Sequence, residues 1–443
     1  ATGVHRPLTA TALWLDSAIG SEPLLVLGLD HCILDAADVD AVRVAAGRVT
    51  PINSGFIQVC LSHTHGSAWL SRTRSHLPGG ELIGPYLDGL VETGAEIARR
   101  AAESARPATL VYGIGKCSLA RHRDYWDEER RQFVCGFNPT GPADDTVIVA
   151  RAVADDGTTL GTVVNYACHP TTLAWQNTLL SPDYVGAMRE VVEGHTGAAC
   201  LFLQGASGDL GPRDGYVGDP AVADRNGRQL GFAALSAIES LPPPNTRFEY
   251  TGPVVSGAIL GTWKHTPLMT TAADSWRVRG VPVRLPYRRD LPTERDTRAE
   301  LSRWQAAEEE ARGSNDAARA AEARARVEQM TRQLARLAAL PEGPGYPFTV
   351  VLRRMGTSVW VFTPGELYQE FQTTLRARFP EIAIVVATLS NDWQPGYIPT
   401  AATYGHGIYQ EVIAAVAPGS LDTLIDAVGR EIGPLVGSAS GAA

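Results

Sequence analysis

The chain has 443 residues, of which 44% are hydrophobic and 20% charged, a composition typical of a globular protein with a large buried core. Its formal net charge of −9 at pH 7 provides no basic surface, so neither nucleic acid nor an anionic membrane is predicted as a partner. No apolar run approaches the roughly 20 residues that a membrane-spanning helix needs.

The six cysteines are scattered along the chain, and four of them lie in or beside apolar runs. No C-x-x-C pair occurs, so buried free thiols are predicted rather than disulfides or a thiolate zinc site. The amino terminus ATGVHRPLTA lacks the charged-then-apolar pattern of a secretion signal. We therefore expect a cytoplasmic location, with secretion as the alternative if a signal was removed. The oligomeric state is left open.

Short apolar runs in the first half of the chain predict strands, and longer amphipathic runs between them predict helices. The predicted strands cover 12–15, 24–29, 56–61, 109–114, 147–153, 161–168 and 199–203, and the predicted helices cover 82–105, 184–193 and 221–241. The turn Asp155-Asp156-Gly157 predicts that the fifth and sixth of these strands form a hairpin.

The second half begins with a change of composition. Residues 290–341 are rich in Glu, Arg and Ala and are interrupted by Gly313-Ser314-Asn315-Asp316, which predicts an inserted hairpin of two solvated helices. Strands are then predicted at 348–353, 358–363 and 383–389, and a last helix at 421–432. The pattern favours one α/β domain over 1–435, with a mixed β-sheet, several layers and flanking helices, followed by a disordered tail at 436–443.

Two histidines follow the strand predicted at 56–61, in the sequence GFIQVCLSHTHGSAW. Residues i and i+2 of an extended chain point to the same face, so His63 and His65 are expected to converge at the strand's carboxyl end. A His-x-His pair is a frequent metal clamp, because neutral imidazole is a common transition-metal ligand. The alternative is two loop histidines whose nitrogens are satisfied by hydrogen bonds.

Other predicted strands also end in polar residues, namely His169, Asp209, Glu366 and the segment 391–397 with Tyr397. Open α/β sheets bind ligands at the carboxyl ends of their strands, so these side chains are expected to share one site. Each has a structural alternative. His169 could be an ordinary loop residue, Glu366 a first-turn helix carboxylate, and Tyr397 a packed aromatic.

Two histidines and a glutamate are the donors of a catalytic zinc site that keeps one position open for water. Asp183 is predicted to accept the second ring proton of a ligand histidine, and Asp30 and Asp209 are further candidates for carboxylates around the ligands. Arg121 is a candidate for stabilising a developing oxyanion.

The chain resembles the neutral, non-lysosomal ceramidase-like zinc amidohydrolases. The matching segments occur in family order across nearly the whole chain: SHTHG at 62–66, NYACHPTTL at 165–173, SPDYVG at 181–186, LQGASGDLGPR at 203–213, PGELYQEF at 364–371, and GYIPT with a later GIYQEV between 396 and 412. The helical hairpin is similar to that of short bacterial members of the family.

The resemblance implies Zn²⁺ as cofactor, with His63, His169, Glu366 and Tyr397 as its ligands. It further implies that His65, Arg121 and Tyr409 polarise a substrate carbonyl or transfer a proton. The implied activity is zinc-dependent hydrolysis of an amide bond in an N-acyl or ceramide-like substrate by a metal-activated water. The implied partner is therefore a small-molecule or lipid-like substrate.

Two departures from the family pattern stand out. Gly211 occupies the place of the family serine in the Gly-Asp-x-Ser-Pro stretch. The resemblance also extends only to near the end of the family's catalytic domain, so we expect these residues to form that domain without the immunoglobulin-like carboxyl-terminal domain of full ceramidases. The alternatives are an esterase or glycoconjugate hydrolase on the same scaffold, and a non-catalytic binding protein that lost the serine. A serine hydrolase built on Ser207 is disfavoured, because G-A-S-G-D has the wrong spacing for a nucleophile elbow.

Overall fold

The structure, a computed structural model, describes residues 1–17, 22–268 and 276–437. Its strands in chain order are β1 Gly3–Val4, β2 Ala10–Leu15, β3 Leu24–Leu29, β4 Ile57–Leu61, β5 Ala108–Lys116, β6 Ala120–His122, β7 Asp124–Asp127, β8 Gln132–Cys135, β9 Thr146–Ala154, β10 Thr159–Tyr166, β11 Leu179–Leu180, β12 Cys200–Gln204, β13 Leu210–Pro212, β14 Thr246–Val255, β15 Ile259–Pro267, β16 Trp276–Pro286, β17 Gly345–Met355, β18 Ser358–Phe362, β19 Glu366–Leu367, β20 Ala383–Ala387 and β21 Tyr397–Ile398. Its helices are α1 Ala36–Val49, α2 Ile83–Glu103, α3 Tyr184–Thr196, α4 Pro220–Glu239, α5 Glu294–Gly313, α6 Ala317–Ala339, α7 Glu370–Arg378, α8 Tyr409–Ile413 and α9 Ser420–Val436.

Three larger sheets carry the fold, with strand orders β2-β3-β4, β12-β10-β9-β5 and β16-β17-β18-β20. Each has one parallel pair, which is β3 with β4, β10 with β12, and β18 with β20, and its remaining pairs are antiparallel: one in the first sheet and two in each of the others. The mixed α/β architecture with flanking helices is therefore confirmed. The hairpin predicted at the turn 155–157 is the antiparallel pair β9 and β10.

The three sheets bury one face of their strands against each other. This shared core contains Leu24, Val26, Cys60, Ile148, Ala150, Val163, Leu201, Leu203, Met355, Trp360, Phe362, Val385 and Ala387. The alternate residues of the same strands pack under helices: α1 and α2 cover the first sheet, α3 and α4 the second, and α7 and α9 the third. Strands buried on both faces read as continuous apolar runs, which is why the sequence predicted them.

Several helices begin at polar side chains that cap their free amides. Asp183, Asp219, Thr293 and Asp316 each accept a hydrogen bond from a backbone N–H of the first turn of α3, α4, α5 and α6 respectively. Helices α5 and α6 occupy the region predicted for the helical hairpin. No helix in the described part of the chain is long and apolar enough to cross a membrane.

Some elements were not predicted. The sequence did not predict helix α1, because its Ala- and Val-rich sequence has a weak amphipathic pattern. The ribbon formed by β14 and β15 was overlooked because most of its residues are exposed, so it lacks the apolar run of a buried strand. Of the tail predicted at 436–443, Val436 ends α9, and residues 438–443 lie outside the described residues.

Candidate metal centre and active site

The carboxyl ends of strands from all three sheets meet at one place. Backbone hydrogen bonds join the segments that leave these strands: Gly205 N to Tyr166 O (2.9 Å), Thr388 N to Gln204 O (2.8 Å), Thr363 N to Ala387 O (3.0 Å) and Leu61 N to Leu389 O (3.4 Å). The short strands β19 and β21 then run parallel, with Glu366 paired to Tyr397. The topology thus brings the polar residues that follow these strands to a common edge.

His63, His169 and Glu366 form a compact cluster at this edge. His63 Nε2 lies 3.0 Å from His169 Nε2, and Glu366 Oε2 lies 3.2 Å from both nitrogens. Both imidazoles are buried and the Glu366 side chain is 11% exposed. His63 has a left-handed backbone (φ 66°), which is uncommon for a residue with a side chain, and its N–H donates to His31 O.

Hydrogen bonds on the far side of each ring determine which nitrogens face the centre of the cluster. His63 Nδ1 lies 2.8 Å from Cys32 O, and His169 Nδ1 lies 2.9 Å from Ser207 O. A carbonyl oxygen can only accept, so each Nδ1 carries a proton. In the neutral rings, each Nε2 therefore has a lone pair that points toward the same carboxylate oxygen. Because these three electron-rich atoms repel one another, the arrangement needs a positive charge at its centre.

The pKa shifts in the cluster also indicate that a positive charge is favoured at its centre. Burial disfavours charged imidazole, but the negative charges of Cys32 and Glu366 outweigh burial and raise the pKa of His63 well above its usual value. Burial, followed by the positive charges of Arg123 and His63, lowers the pKa of His169. Burial opposes ionisation of Glu366, yet the His63 charge and the two histidine hydrogen bonds lower its pKa. One proton on His63 thus supplies the charge when no cation does.

The donor set fits a metal ion. Two imidazole nitrogens and a carboxylate oxygen lie within 4.8 Å of one another, and backbone carbonyls orient both rings. A second group that meets the same distance criterion consists of Cys32, His63 and His65 and shares His63 with the first. Neither group identifies the metal.

Tyr397 adds a phenol to the cluster. Its Oη lies 3.2 Å from His169 Nε2 and accepts a hydrogen bond of 3.0 Å from Arg123 Nη2. Burial raises the pKa of this phenol well above its usual value, and the charge of Arg123 opposes that effect. Tyr397 is therefore neutral at pH 7 without a cation, and Arg123 favours its ionised form.

Arg123 is a site residue that sequence reasoning missed. It is buried, and it also donates to Gly208 O through Nε and Nη2. Arg121, the arginine chosen from the sequence, lies two residues earlier and pairs with Gly211 between β6 and β13; none of the described residues forms a hydrogen bond or ion pair with its side chain. The structure thus brings Arg123, and not Arg121, into contact with a candidate ligand.

His65 and Tyr409 border the cluster on its open side. The His65 ring is exposed, and its centroid lies 5.1 Å from that of His63 and 5.7 Å from that of His169. Tyr409, at the start of α8, is 49% exposed, and its ring packs edge-on against Tyr397 at 5.9 Å. Both side chains are thus within reach of solvent and of the ligands.

The three carboxylates predicted to support the ligands have other partners. Asp183 accepts from the N–H groups of Leu173 and Tyr184 and caps α3, so the carbonyl of Ser207 takes the role expected of it at His169. Asp30 contacts neither ligand ring in the described part of the chain. Its carboxylate instead accepts four hydrogen bonds, from Arg189 Nη1 (3.0 Å), Arg189 Nη2 (3.1 Å), Thr9 N (2.9 Å) and Thr9 Oγ1 (2.9 Å).

Asp209 acts on the ligand strand indirectly. It accepts from Gln369 N at 2.8 Å and Gln369 Nε2 at 2.7 Å, which anchors the chain three residues beyond Glu366. A cavity of about 630 Å³ begins next to this contact and is lined in part by Asp209, Tyr368 and Gln369. None of the four candidate ligands lines that cavity.

Comparison with known proteins supports a fold relationship only. No family model matches the sequence, and no curated protein matches it. The solved neutral ceramidase from Pseudomonas aeruginosa superposes with a TM-score of 0.61 at 13% identity, over 97% of this chain and 68% of that one. A ceramidase complexed with C2 gives a TM-score of 0.60 at 14% identity, over 97% and 71%. The chain therefore has a neutral ceramidase-like fold.

Proposed function

We propose that this protein is a zinc-dependent hydrolase that cleaves an amide bond in an N-acyl substrate. The observation that carries the proposal is the convergence of three atoms that can bind a metal ion, His63 Nε2, His169 Nε2 and Glu366 Oε2, at mutual distances of 3.0 to 3.2 Å. The neutral ceramidase-like fold supports amide chemistry, because the similar solved chains are ceramidases.

His63, His169 and Glu366 would hold the cation, and Tyr397 would complete the set. When bound, the cation supplies Lewis-acid polarisation of a carbonyl and lowers the pKa of water toward neutrality. The rings are kept in the ligating tautomer by the carbonyls of Cys32 and Ser207.

The residues around the ligands would manage the proton and the developing charge. His65 is exposed beside both ligand rings and would accept the proton of the attacking water. Tyr409 would donate a hydrogen bond to the oxyanion, since its ring packs against Tyr397 at the open side. Arg123 would stabilise negative charge from beneath through Tyr397. Gly211, which replaces the family serine, has no side chain with which to take part.

The test is metal content and amide hydrolysis, measured on wild type, His169→Ala and His195→Ala. His195 is a matched control, because it is an exposed histidine bonded to Glu239. We expect about one zinc per chain in wild type and in the control, together with hydrolysis of N-acyl amides. His169→Ala should lose both the metal and the activity.

Elemental analysis after purification without chelators measures the first quantity, and product release with and without added Zn²⁺ measures the second. A wild-type chain that binds no cation and cleaves no amide after zinc addition would refute the proposal. Such a result would favour a non-catalytic binding protein.

A further inference from the structure

Helix α6 of the inserted hairpin is held against the loop that follows the ligand His63. Arg74 Nη2 lies 3.0 Å from Glu328 Oε1 of α6. Trp69 lies beneath two guanidinium groups, that of Arg74 at 4.3 Å and that of Arg332 of α6 at 5.5 Å from its ring centroid. The hairpin is thus more than a solvated insertion, because its second helix packs beside the candidate active site.

Arg336 lies one helical turn beyond Arg332 on α6. After burial, the Glu366 carboxylate and the phenols of Tyr409 and Tyr397 influence the pKa of its guanidinium, and Arg336 in turn influences the pKa of Tyr409. Arg336 therefore lies within electrostatic reach of the cluster, on the side of the exposed Tyr409.

Arg336 has far fewer partners than its charge and burial require. Its Nη2 donates to Gln333 Oε1 at 2.5 Å, whereas its Nε is buried and has no acceptor. It forms no ion pair with any of the described residues. Other arginines of the hairpin do so with glutamates of the hairpin: Arg298, Arg303, Arg312, Arg319, Arg324 and Arg332.

An unpaired guanidinium in this position is costly unless an anion joins it. Burial lowers the pKa of Arg336, but an arginine remains charged at neutral pH. Contact between an uncharged substrate and a half-buried guanidinium with an unused N–H is unfavourable, because the charge stays unpaired. A carboxylate would pair with it and can accept two parallel N–H bonds.

We propose that Arg336 binds a carboxylate of the substrate next to the scissile amide, so that the preferred substrates are N-acyl amino acids rather than neutral N-acyl amino alcohols. This inference rests on the proposed amide hydrolysis for its catalytic part, although the anion site itself does not depend on turnover. Arg336 is a specificity-determining residue that contacts the substrate away from the reacting bond.

The test compares two amides with the zinc-loaded full chain: N-dodecanoylglycine, whose amine part ends in a carboxylate, and N-dodecanoylethanolamine, in which a neutral hydroxymethyl group replaces that carboxylate. We expect wild type to favour the glycine conjugate in kcat/KM by about 10- to 100-fold, the factor that a charge-assisted hydrogen bond supplies. Arg336→Gln should remove this preference by lowering kcat/KM for the glycine conjugate alone. Arg336→Lys should restore part of it, because lysine keeps the charge but loses the planar fork.

Arg326→Gln is the matched control. Arg326 lies on the same helix and, like Arg336, donates to a glutamine, here Gln329 Oε1 at 3.1 Å, but its side chain is exposed. This variant should keep the wild-type preference, and equal melting temperatures would show that all variants are folded.

The outcomes separate this inference from the proposed function. If neither amide is cleaved, amide hydrolysis is refuted, and the dissociation constants of the same two compounds still test the anion site in wild type and Arg336→Gln. A glycine conjugate that binds about 10-fold tighter in wild type only would support it. Equal use or equal binding of both compounds by wild type, or an unchanged preference in Arg336→Gln, would overturn it.

Discussion

At the scale of single residues, chemically identical side chains acquire opposite pKa shifts from their neighbours. His63 and His169 both donate from Nδ1 to a backbone carbonyl, yet their pKa values shift in opposite directions, because Cys32 and Glu366 act on one and Arg123 on the other. Tyr397 would be an unremarkable packed aromatic without the 3.0 Å hydrogen bond from Arg123. Local charge, not residue type, therefore decides whether the pKa of each histidine rises or falls.

A pair of arginine variants tests whether Arg123 or Arg121 stabilises negative charge at the site. Arg123→Gln removes the buried charge beside Tyr397, so we expect kcat for amide hydrolysis to fall by about 10²- to 10³-fold, as for the loss of one oxyanion donor. Arg121→Gln should change kcat far less, since none of the described residues forms a hydrogen bond or ion pair with the Arg121 side chain. Steady-state kinetics with metal content measured in parallel would check this. A larger loss in Arg121→Gln would restore the sequence-based choice.

At the scale of elements, the segment between β12 and β13 brings the second sheet to the candidate metal ligands. Gly208 lies against the ligand strand, where an added Cβ would be 2.8 Å from Tyr368 Cδ1 and 2.9 Å from Glu366 O. Three residues later, a Cβ on Gly211 would lie 3.8 Å from Arg123 Cδ and Thr171 Oγ1, which is ordinary contact. One glycine is thus required by packing, whereas the other leaves room for a serine side chain.

Two serine substitutions test this difference. We expect Gly211→Ser to change the free energy of unfolding by less than about 0.5 kcal/mol, because nothing has to move. Gly208→Ser should cost about 1 to 3 kcal/mol through overpacking against the backbone of Glu366. Urea denaturation of the two variants and wild type measures both. Equal destabilisation would show that Gly211 is also required by packing, and a rise in activity of Gly211→Ser would give the serine a catalytic role.

At the scale of the whole molecule, the three sheets meet so that their helices cover the outside and their strand ends bury the candidate ligands. Burial excludes water from His63 and His169 and strengthens every charge interaction there. The folded chain therefore presents a candidate metal site at which one proton and a cation would compete.

This competition predicts the pH dependence of metal binding. The pKa of His63 is raised, whereas those of His169 and Glu366 are lowered, so the metal-free site holds one proton that the cation must displace. Affinity should be constant above the raised pKa and should fall by about tenfold per pH unit below it. Competition with a zinc indicator at several pH values measures this. A steeper slope, or affinity that rises as the pH falls, would contradict the single-proton site.

The sequence predicted most of the architecture and the four clustered residues for a physical reason. Strands buried on both faces read as continuous apolar runs, and the polar residues that follow them must meet where parallel strands end. It could not predict the ribbon of β14 and β15, whose residues are exposed, or helix α1, whose apolar pattern is weak.

What the sequence determined by itself is which side chains follow the strands: His63, His169, Glu366 and Tyr397. Only the tertiary structure decided what surrounds them. The partners of the ligand rings are backbone carbonyls, the buried cation is Arg123, and Arg336 arrives from an inserted helix. These contacts join residues far apart in the chain, and no local pattern encodes the distances at which charge and hydrogen bonding act.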